Sequence, residues 1–299
     1  MIFQRIGILS IGEMGYHWAC LLRSRGVEVL SYLKGRSEVT RKRAGNAGVK
    51  EVSTLTELVA DSDLIVSLVV PSAAKRVAAK VAQGLSKSQR KGLLYLEANA
   101  ISPMTTQAIG QMLETAVFID GCIIGSAGKL TQGAVVYVSG PEAERIKGLE
   151  KFGLSVSIVG PSVGQASAFK IIYAGLTKGL QSLFTELLLG AKRLGVLDEI
   201  LTRYDESFPG LAEKVGHSIA ALPVHAARRA EEMAELAETF RHYGLKPSMA
   251  PAAEKILRAI GDLKAGEASE EGSRRGSLAD TLELFSQKGL LQDKSSVQT

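Results

Sequence analysis

Residues 8–19 read ILSIGEMGYHWA. A short apolar run stops at Ser10, a bend with Gly12 and Gly15 follows, and a helical pattern then begins. This order suits the capture of a phosphate. In such a turn one glycine permits the bend, one lets the backbone approach a pyrophosphate, and one lets helix and strand pack closely. The helix start adds free N–H groups and the positive end of its dipole. Ser10 stands where the first of these glycines is expected. Ser10, Ile11, Gly12, Glu13, Met14 and Gly15 are expected to hold the pyrophosphate of a dinucleotide; the plainer alternative is an ordinary strand-to-helix bend.

Three further groups of residues bear on the same chemistry. The second strand ends in SYLKGRSEVTRKR, residues 31–43. An acid at that place would hold the ribose hydroxyls of NAD and repel a 2′-phosphate. Here Lys34, Arg36 and Ser37 occupy it, and the first acid is Glu38. Arg36 can fork onto a phosphate and Ser37 can donate to it, so NADP is expected, with Ser37 as a helix N-cap the alternative. Val70, Pro71 and Ser72 follow an apolar run at the carboxyl edge of a sheet, where nucleotides bind; Ser72 either touches the cofactor there or caps a helix. Lys170 lies in ASAFKIIYAG, an apolar and small-residue helix face that predicts partial burial. Hydride transfer between nicotinamide and a C–OH or C=O group needs a partner for the oxygen's proton, and a lysine whose pKa is drawn towards neutrality can serve. The alternative is a lysine snorkelling from a core helix. Thr177 shares nearly the same face, Lys178 lies about 80° round the helix as a second cation, and Tyr173 and Tyr243 are candidates to reach substrate.

Composition narrows the remaining classes. The chain has 299 residues, 45% of them hydrophobic and 22% charged, which is globular composition. The 36 Lys and Arg against 31 Asp and Glu give a net charge of +5, scattered rather than striped, and aromatics make up only 5%. Nucleic acid is therefore not expected as a partner, and a small anionic molecule suits the charge better. Apolar runs are too short to span a bilayer and the first residues lack the shape of a secretory leader, so no membrane association and a cytoplasmic location are expected. Cys20 and Cys122 form no C-x-x-C pair, and Cys122 reads as a small buried residue. The four histidines show no metal-ligand spacing, so no metal is expected.

These residues need elements to position them. Up to residue 161, strand-like runs alternate with helical patterns, which predicts an α/β fold: a doubly wound, mostly parallel sheet of Rossmann type. Strands are expected in 5–11, 27–33, 64–70, 92–100, 116–125 and 134–140. A long helix is expected over 162–194, joining this domain (1–161) to an all-α domain (195–299). Helices there are expected over 197–207, 209–222, 224–243, 249–262 and 277–288. The Gly/Ser-rich stretch 264–277 reads as a surface loop and 292–299 as a frayed end.

Four segments together resemble the β-hydroxyacid dehydrogenases, which include 3-hydroxyisobutyrate and 6-phosphogluconate dehydrogenases. They are SIGEMG; EANAISPMT (97–105), similar to the family's D-x-S-T-I-S-P; FIDGCIIGSAGK (118–129), similar to D-A-P-V-S-G-G; and GQASAFKIIYAG (164–175), similar to G-x-x-x-x-x-K-x-x-x-N. The second half, including RRAEEMAELAETFRHYGLKPSM, looks like a phosphogluconate-dehydrogenase-like subgroup. The resemblance implies Lys170 as general acid/base. It implies Asn99 at the cofactor and substrate, and a carboxylate substrate near Gly121, Cys122, Ile123, Lys170, Tyr173 and Lys178. It also implies a homodimer.

The resemblance has departures. Ile124 stands at the usual serine, Ser126 at the second glycine and Ala174 at the asparagine. The family's Lys-Asp pair is not evident, and Glu231 and Glu232 sit about where it is expected, which leaves Lys178 or Arg228 to supply counter-charge. Two alternatives stay open: an imine reductase on the same scaffold, and a silent NADP-binding protein.

Overall fold

The computed structural model describes residues 3–263 and 276–291. Most of the loop expected over 264–277, and the end expected over 292–299, lie outside the described residues. The chain forms two compact units, residues 1–171 and 172–299.

The first unit is a sheet of eight strands: β1 (Arg5–Ile8), β2 (Glu28–Ser31), β3 (Lys50–Glu51), β4 (Leu64–Ser67), β5 (Leu94–Glu97), β6 (Val117–Ile124), β7 (Val135–Ser139) and β8 (Ser155–Gly160). Their spatial order is β3-β2-β1-β4-β5-β6-β7-β8. All neighbours are parallel except β6 and β7. The expected α/β sheet of Rossmann type is therefore present. Chain order reverses between β1 and β4, and ligands of open parallel sheets bind at such a switch point, outside the carboxyl ends of the strands.

Both sheet faces are covered, which is why β4 and β5 are buried at every residue. Ile6, Ile8, Leu64, Val66, Leu94 and Leu96 pack with Trp18 and Leu22 of α1 (Glu13–Ser24). On the other face, Ile65 and Tyr95 pack with Leu58 and Val59 of α3 (Leu55–Asp61), which follows α2 (Glu38–Asn46) in the chain, and with Val81 and Leu85 of α4 (Ala74–Ser88). Period-two alternation along each strand sends successive side chains into these two cores.

Helix α2 and helix α5 (Pro103–Met112) carry no strong apolar stripe. Helix α2 buries only Ala44, so local capping defines it: Ser37 accepts from the Thr40 amide, as Ser102 accepts from Thr105 in α5. The six expected strands run two to five residues longer than those observed, because apolar residues continue past the ladder into loops that carry the site, while β3 and β8 were not expected.

Helix α6 (Gln165–Leu194) continues from the first unit into the second. The second unit adds α7 (Leu197–Ser207), α8 (Leu211–Ile219), α9 (Leu222–His242), α10 (Met249–Asp262) and α11 (Leu278–Gln287). Its helical character agrees with the sequence, and α7 and α10 have the expected bounds.

Candidate functional site

The bend after β1 has the geometry of an anion cradle. Gly12 is the N-cap of α1 and the first turn closes with Tyr16 N–H on the Gly12 carbonyl. The amides of residues 13–15 thus precede the first intrahelical bond and point out of the helix end. A Cβ on Gly15 would lie 1.9 Å from the Ser10 carbonyl oxygen, so only glycine lets the helix approach the strand this closely. Ser10 makes its bend without entering the left-handed region, where among described residues only Gln89 and Leu291 are non-glycine. This explains how serine replaces the first glycine without backbone strain.

The turn after β2 brings cations to this loop. Arg36 N–H closes the turn on the Leu33 carbonyl. Its guanidinium Nη2 donates to the Leu9 carbonyl at 3.1 Å, placing Arg36 against the bend. Arg41 also points back, donating to the Leu33 carbonyl at 2.8 Å. No carboxylate occurs between Ser31 and Ser37. Ser37 is the N-cap of α2, so that alternative is realised. Its hydroxyl is exposed beside Arg36.

At the switch point, Ser67, Glu97 and Asn99 form a buried cluster. Asn99 N–H donates to Glu97 Oε1 at 3.2 Å, and Asn99 Nδ2 donates to Ser67 Oγ at 2.9 Å. Tyr95 O–H reaches Glu97 Oε2 at 3.5 Å. Asn99 is only 4% exposed, and its Oδ1 has no partner among the described residues. An orphaned buried acceptor at this edge fits a ligand that brings a donor. Burial raises the Glu97 carboxyl to about 8, with neighbouring Asp120 adding to the shift and hydrogen bonds from Asn99, Ser67 and Tyr95 opposing it. Val70, Pro71 and Ser72 are exposed just beyond β4. Ser72 sits inside a 3-10 turn, Pro71–Ala73, and Ala73 precedes α4 as its cap residue. The N-cap alternative for Ser72 is thus not realised.

The first turn of α6 is built on Asp120. This buried carboxylate accepts from Ser139 Oγ, Gly164 N and Ser167 N at 2.9–3.0 Å, and from Ser167 Oγ at 2.6 Å. An anion at a helix N-terminus is stabilised by the free amides there. Burial still pushes its pKa above the ordinary range, against these bonds. Thr106 Oγ1 joins Ser167 Oγ at 2.8 Å. One turn on, half-buried Lys170 donates from Nζ to the Ile123 carbonyl at 2.8 Å. Phe169 lies against Tyr137 with ring centroids 4.6 Å apart.

Among the residues expected at substrate, Ile123 and Lys170 are thus brought together. Gly121 and Cys122 are in β6, buried within the sheet. Burial pushes the Cys122 thiol up to about 12, so it stays protonated. Gly125 has φ of +136°, and a Cβ there would lie 2.5 Å from Ala134 Cα, so glycine is required where β6 turns out of the sheet.

In the second unit, Tyr173 and Tyr243 are exposed. Lys178 pairs with Glu232 at 2.7 Å, and Arg228 pairs with the same carboxylate. The counter-charge expected of Lys178 and Arg228 is therefore already opposed by Glu232. Arg229 donates to Gln181 Oε1 at 3.0 Å and to the Ser218 carbonyl at 3.2 Å. Among the described residues no group of three or more His, Cys, Asp or Glu could hold a metal, and no helix is long and apolar enough to cross a membrane.

Comparison with known proteins decides what these residues belong to. Residues 5–157 match the NAD binding domain of 6-phosphogluconate dehydrogenase, and residues 191–260 match a domain of unknown function (DUF1932). A conserved protein of unknown function, whose solved structure was described as similar to 3-hydroxyacid dehydrogenases, is 30% identical with a TM-score of 0.75. That alignment covers 87% of this chain and 99% of the other.

The chain belongs to the β-hydroxyacid dehydrogenase family.

An uncharacterised 28.5 kDa protein in the 7S RNA 5′ region of Methanothermus fervidus is 32% identical over 86% of this chain and 99% of its own length. Mitochondrial 3-hydroxyisobutyrate dehydrogenase of Bos taurus is 26% identical over 56% of this chain and 50% of its own length.

This β-hydroxyacid dehydrogenase relative is thus an NAD(P)-binding member of an oxidoreductase family. Reasoning from sequence missed Ser67, Glu97, Ser167 and Thr106. Each works through a buried hydrogen bond spanning a strand edge or a long stretch of chain, and no local pattern encodes that. The acidic residue opening EANAISPMT was the available signal for Glu97.

Proposed function

We propose that this protein is an NADP-dependent oxidoreductase acting on a small hydroxy acid and its aldehyde- or keto-acid counterpart, with Lys170 as general acid/base. The observation that carries this reading is the Lys170 amine held 2.8 Å from the Ile123 carbonyl. The bound nicotinamide would supply or accept the hydride. Lys170 Nζ would give a proton to the carbonyl oxygen as the substrate carbon is reduced, and would take the hydroxyl proton in the reverse direction. A lysine in this role suits C=O chemistry better than reduction of an imine.

The cofactor would lie over Ser10, Ile11, Gly12, Glu13, Met14 and Gly15. Arg36, with Ser37, would meet its 2′-phosphate, as the cationic turn after β2 and its lack of a carboxylate support. Val70, Pro71, Ser72 and Asn99 would border its nicotinamide end. Within the first unit, substrate would meet Asn99, the 121–123 segment and Lys170. The test is a panel of short aldehyde-acids and keto-acids, scored by NADPH consumption. Turnover of at least one with NADPH supports the reading, and NADH serving equally well contradicts the cofactor assignment.

A cytoplasmic homodimer belongs to the same proposal. Ile172, Leu176, Leu183, Leu187 and Leu194 on α6 are between 40% and 79% exposed. With Gly179 and Gly190 they follow steps of three and four residues, a seam suited to a second copy of the same helix. Light scattering should return twice the chain mass, and a monomer at working concentration would reject the dimer.

A further inference from the structure

We propose that Glu97 is a positioning residue, acting through Ser67 to determine which end of the Asn99 amide faces the bound ligand. The inference rests on the proposed placement of Asn99 at the cofactor.

Its basis is a count of hydrogens in a sealed space. Glu97, Ser67 and Asn99 are all nearly inaccessible to solvent. Ser67 has one hydroxyl hydrogen and can serve one acceptor with it. Ser67 lies opposite Glu97 in the β4–β5 register, so an ionised Glu97 would draw that hydrogen, in keeping with Ser67 favouring its charged form. Ser67 Oγ is then left as an acceptor, which Asn99 Nδ2 fills at 2.9 Å. The backbone N–H of Asn99 is meanwhile held on Glu97 Oε1. Asn99 Oδ1 is what remains, and it is the atom without a partner among the described residues. The site thus presents an acceptor to a ligand's N–H or O–H group.

A protonated Glu97 reverses the chain. Its own O–H donates to Ser67 Oγ, Ser67 passes its hydrogen to Asn99, and the amide presents N–H instead. The exchange needs only a half-turn of the Asn99 amide, which swaps Oδ1 and Nδ2 and leaves the backbone in place. Titratable groups facing Glu97 are Tyr95 on its own strand and Asp120 opposite it on β6; β4 contributes Ser67. Tyr95 stays protonated, because burial and the adjacent Glu97 push its phenol well above its ordinary value.

The test is the NADPH dissociation constant, measured by fluorescence titration without substrate, from about pH 7 to pH 9.5. Wild type should bind about threefold or more tightly at the upper end, with a midpoint near 8. Glu97→Gln places a permanent donor beside Ser67, so its profile should be flat at the wild-type low-pH value. Ser67→Ala removes the relay and should also be flat. Superimposable profiles for wild type and Glu97→Gln, or a Ser67→Ala profile that keeps the wild-type midpoint, would overturn the inference while leaving the cofactor assignment intact. Absence of NADPH binding to wild type at every pH would overturn both.

Discussion

Ser167 donates to Asp120 at 2.6 Å, and three residues further along each element Lys170 donates to Ile123 at 2.8 Å. Helix α6 is therefore fastened to strand β6 twice, at matched intervals of one helical turn and three strand residues. The first fastening is a buried carboxylate serving the helix start. The second fixes the amine proposed to carry the proton.

If Asp120 sets this register, Asp120→Asn should weaken it, since an amide cannot accept all four donors now directed at the carboxylate. A loss of roughly 1–3 kcal/mol in stability is expected, the cost of stranding a buried donor. Urea unfolding checks this, and an unchanged midpoint would show that Asp120 is not a principal support of α6.

Gly15→Ala tests the nucleotide bend. The added methyl would overlap the Ser10 carbonyl oxygen, so helix and strand must separate. Destabilisation of about 1–3 kcal/mol is expected together with loss of NADPH affinity, measured by thermal melting and by titration. Wild-type affinity in this variant would exclude the bend as the pyrophosphate seat.

Arg36→Asp addresses cofactor choice. Wild type should prefer NADPH over NADH by about tenfold or more, as expected of a guanidinium on a phosphate. The substitution should erase that preference by weakening NADPH alone. Equal loss for both cofactors would mean that Arg36 merely supports the loop through Leu9.

The Glu97 carboxyl gives a stability prediction with a definite sign. Its pKa is about 8 in the folded protein against an ordinary 4.5. The folded state therefore keeps a proton that the unfolded chain releases in this window. Stability should fall as pH rises from about 4.5 towards 8, at up to about 1.4 kcal/mol per pH unit. Glu97→Gln removes this dependence, so melting temperatures of variant and wild type should diverge in the variant's favour as pH increases. Divergence in the opposite direction would contradict a neutral buried carboxyl.

The sheet and the long helix were legible because they rest on repeated local patterns: apolar runs such as LIVSLVV and alternation with helices. The bend at 10–15 and the cationic turn at Lys34–Arg36 were legible for the same reason, being short and contiguous. Helix α2 was not, because Ser37 capping outweighs its nearly absent apolar stripe. Nor was the Ser67–Glu97–Asn99 cluster, whose members meet only once β4 and β5 pair in register. Lys178 shows the complementary limit: its spacing from Lys170 is visible in the sequence, but the Glu232 that pairs with it lies on another helix.

The most direct test of the account is Lys170→Ala, measured for turnover on an accepted keto-acid or aldehyde-acid with saturating NADPH. Turnover should fall by about 10²- to 10⁴-fold, while the NADPH dissociation constant stays within about threefold of wild type. A variant that binds NADPH normally and reduces substrate as fast as wild type would contradict the role assigned to this lysine.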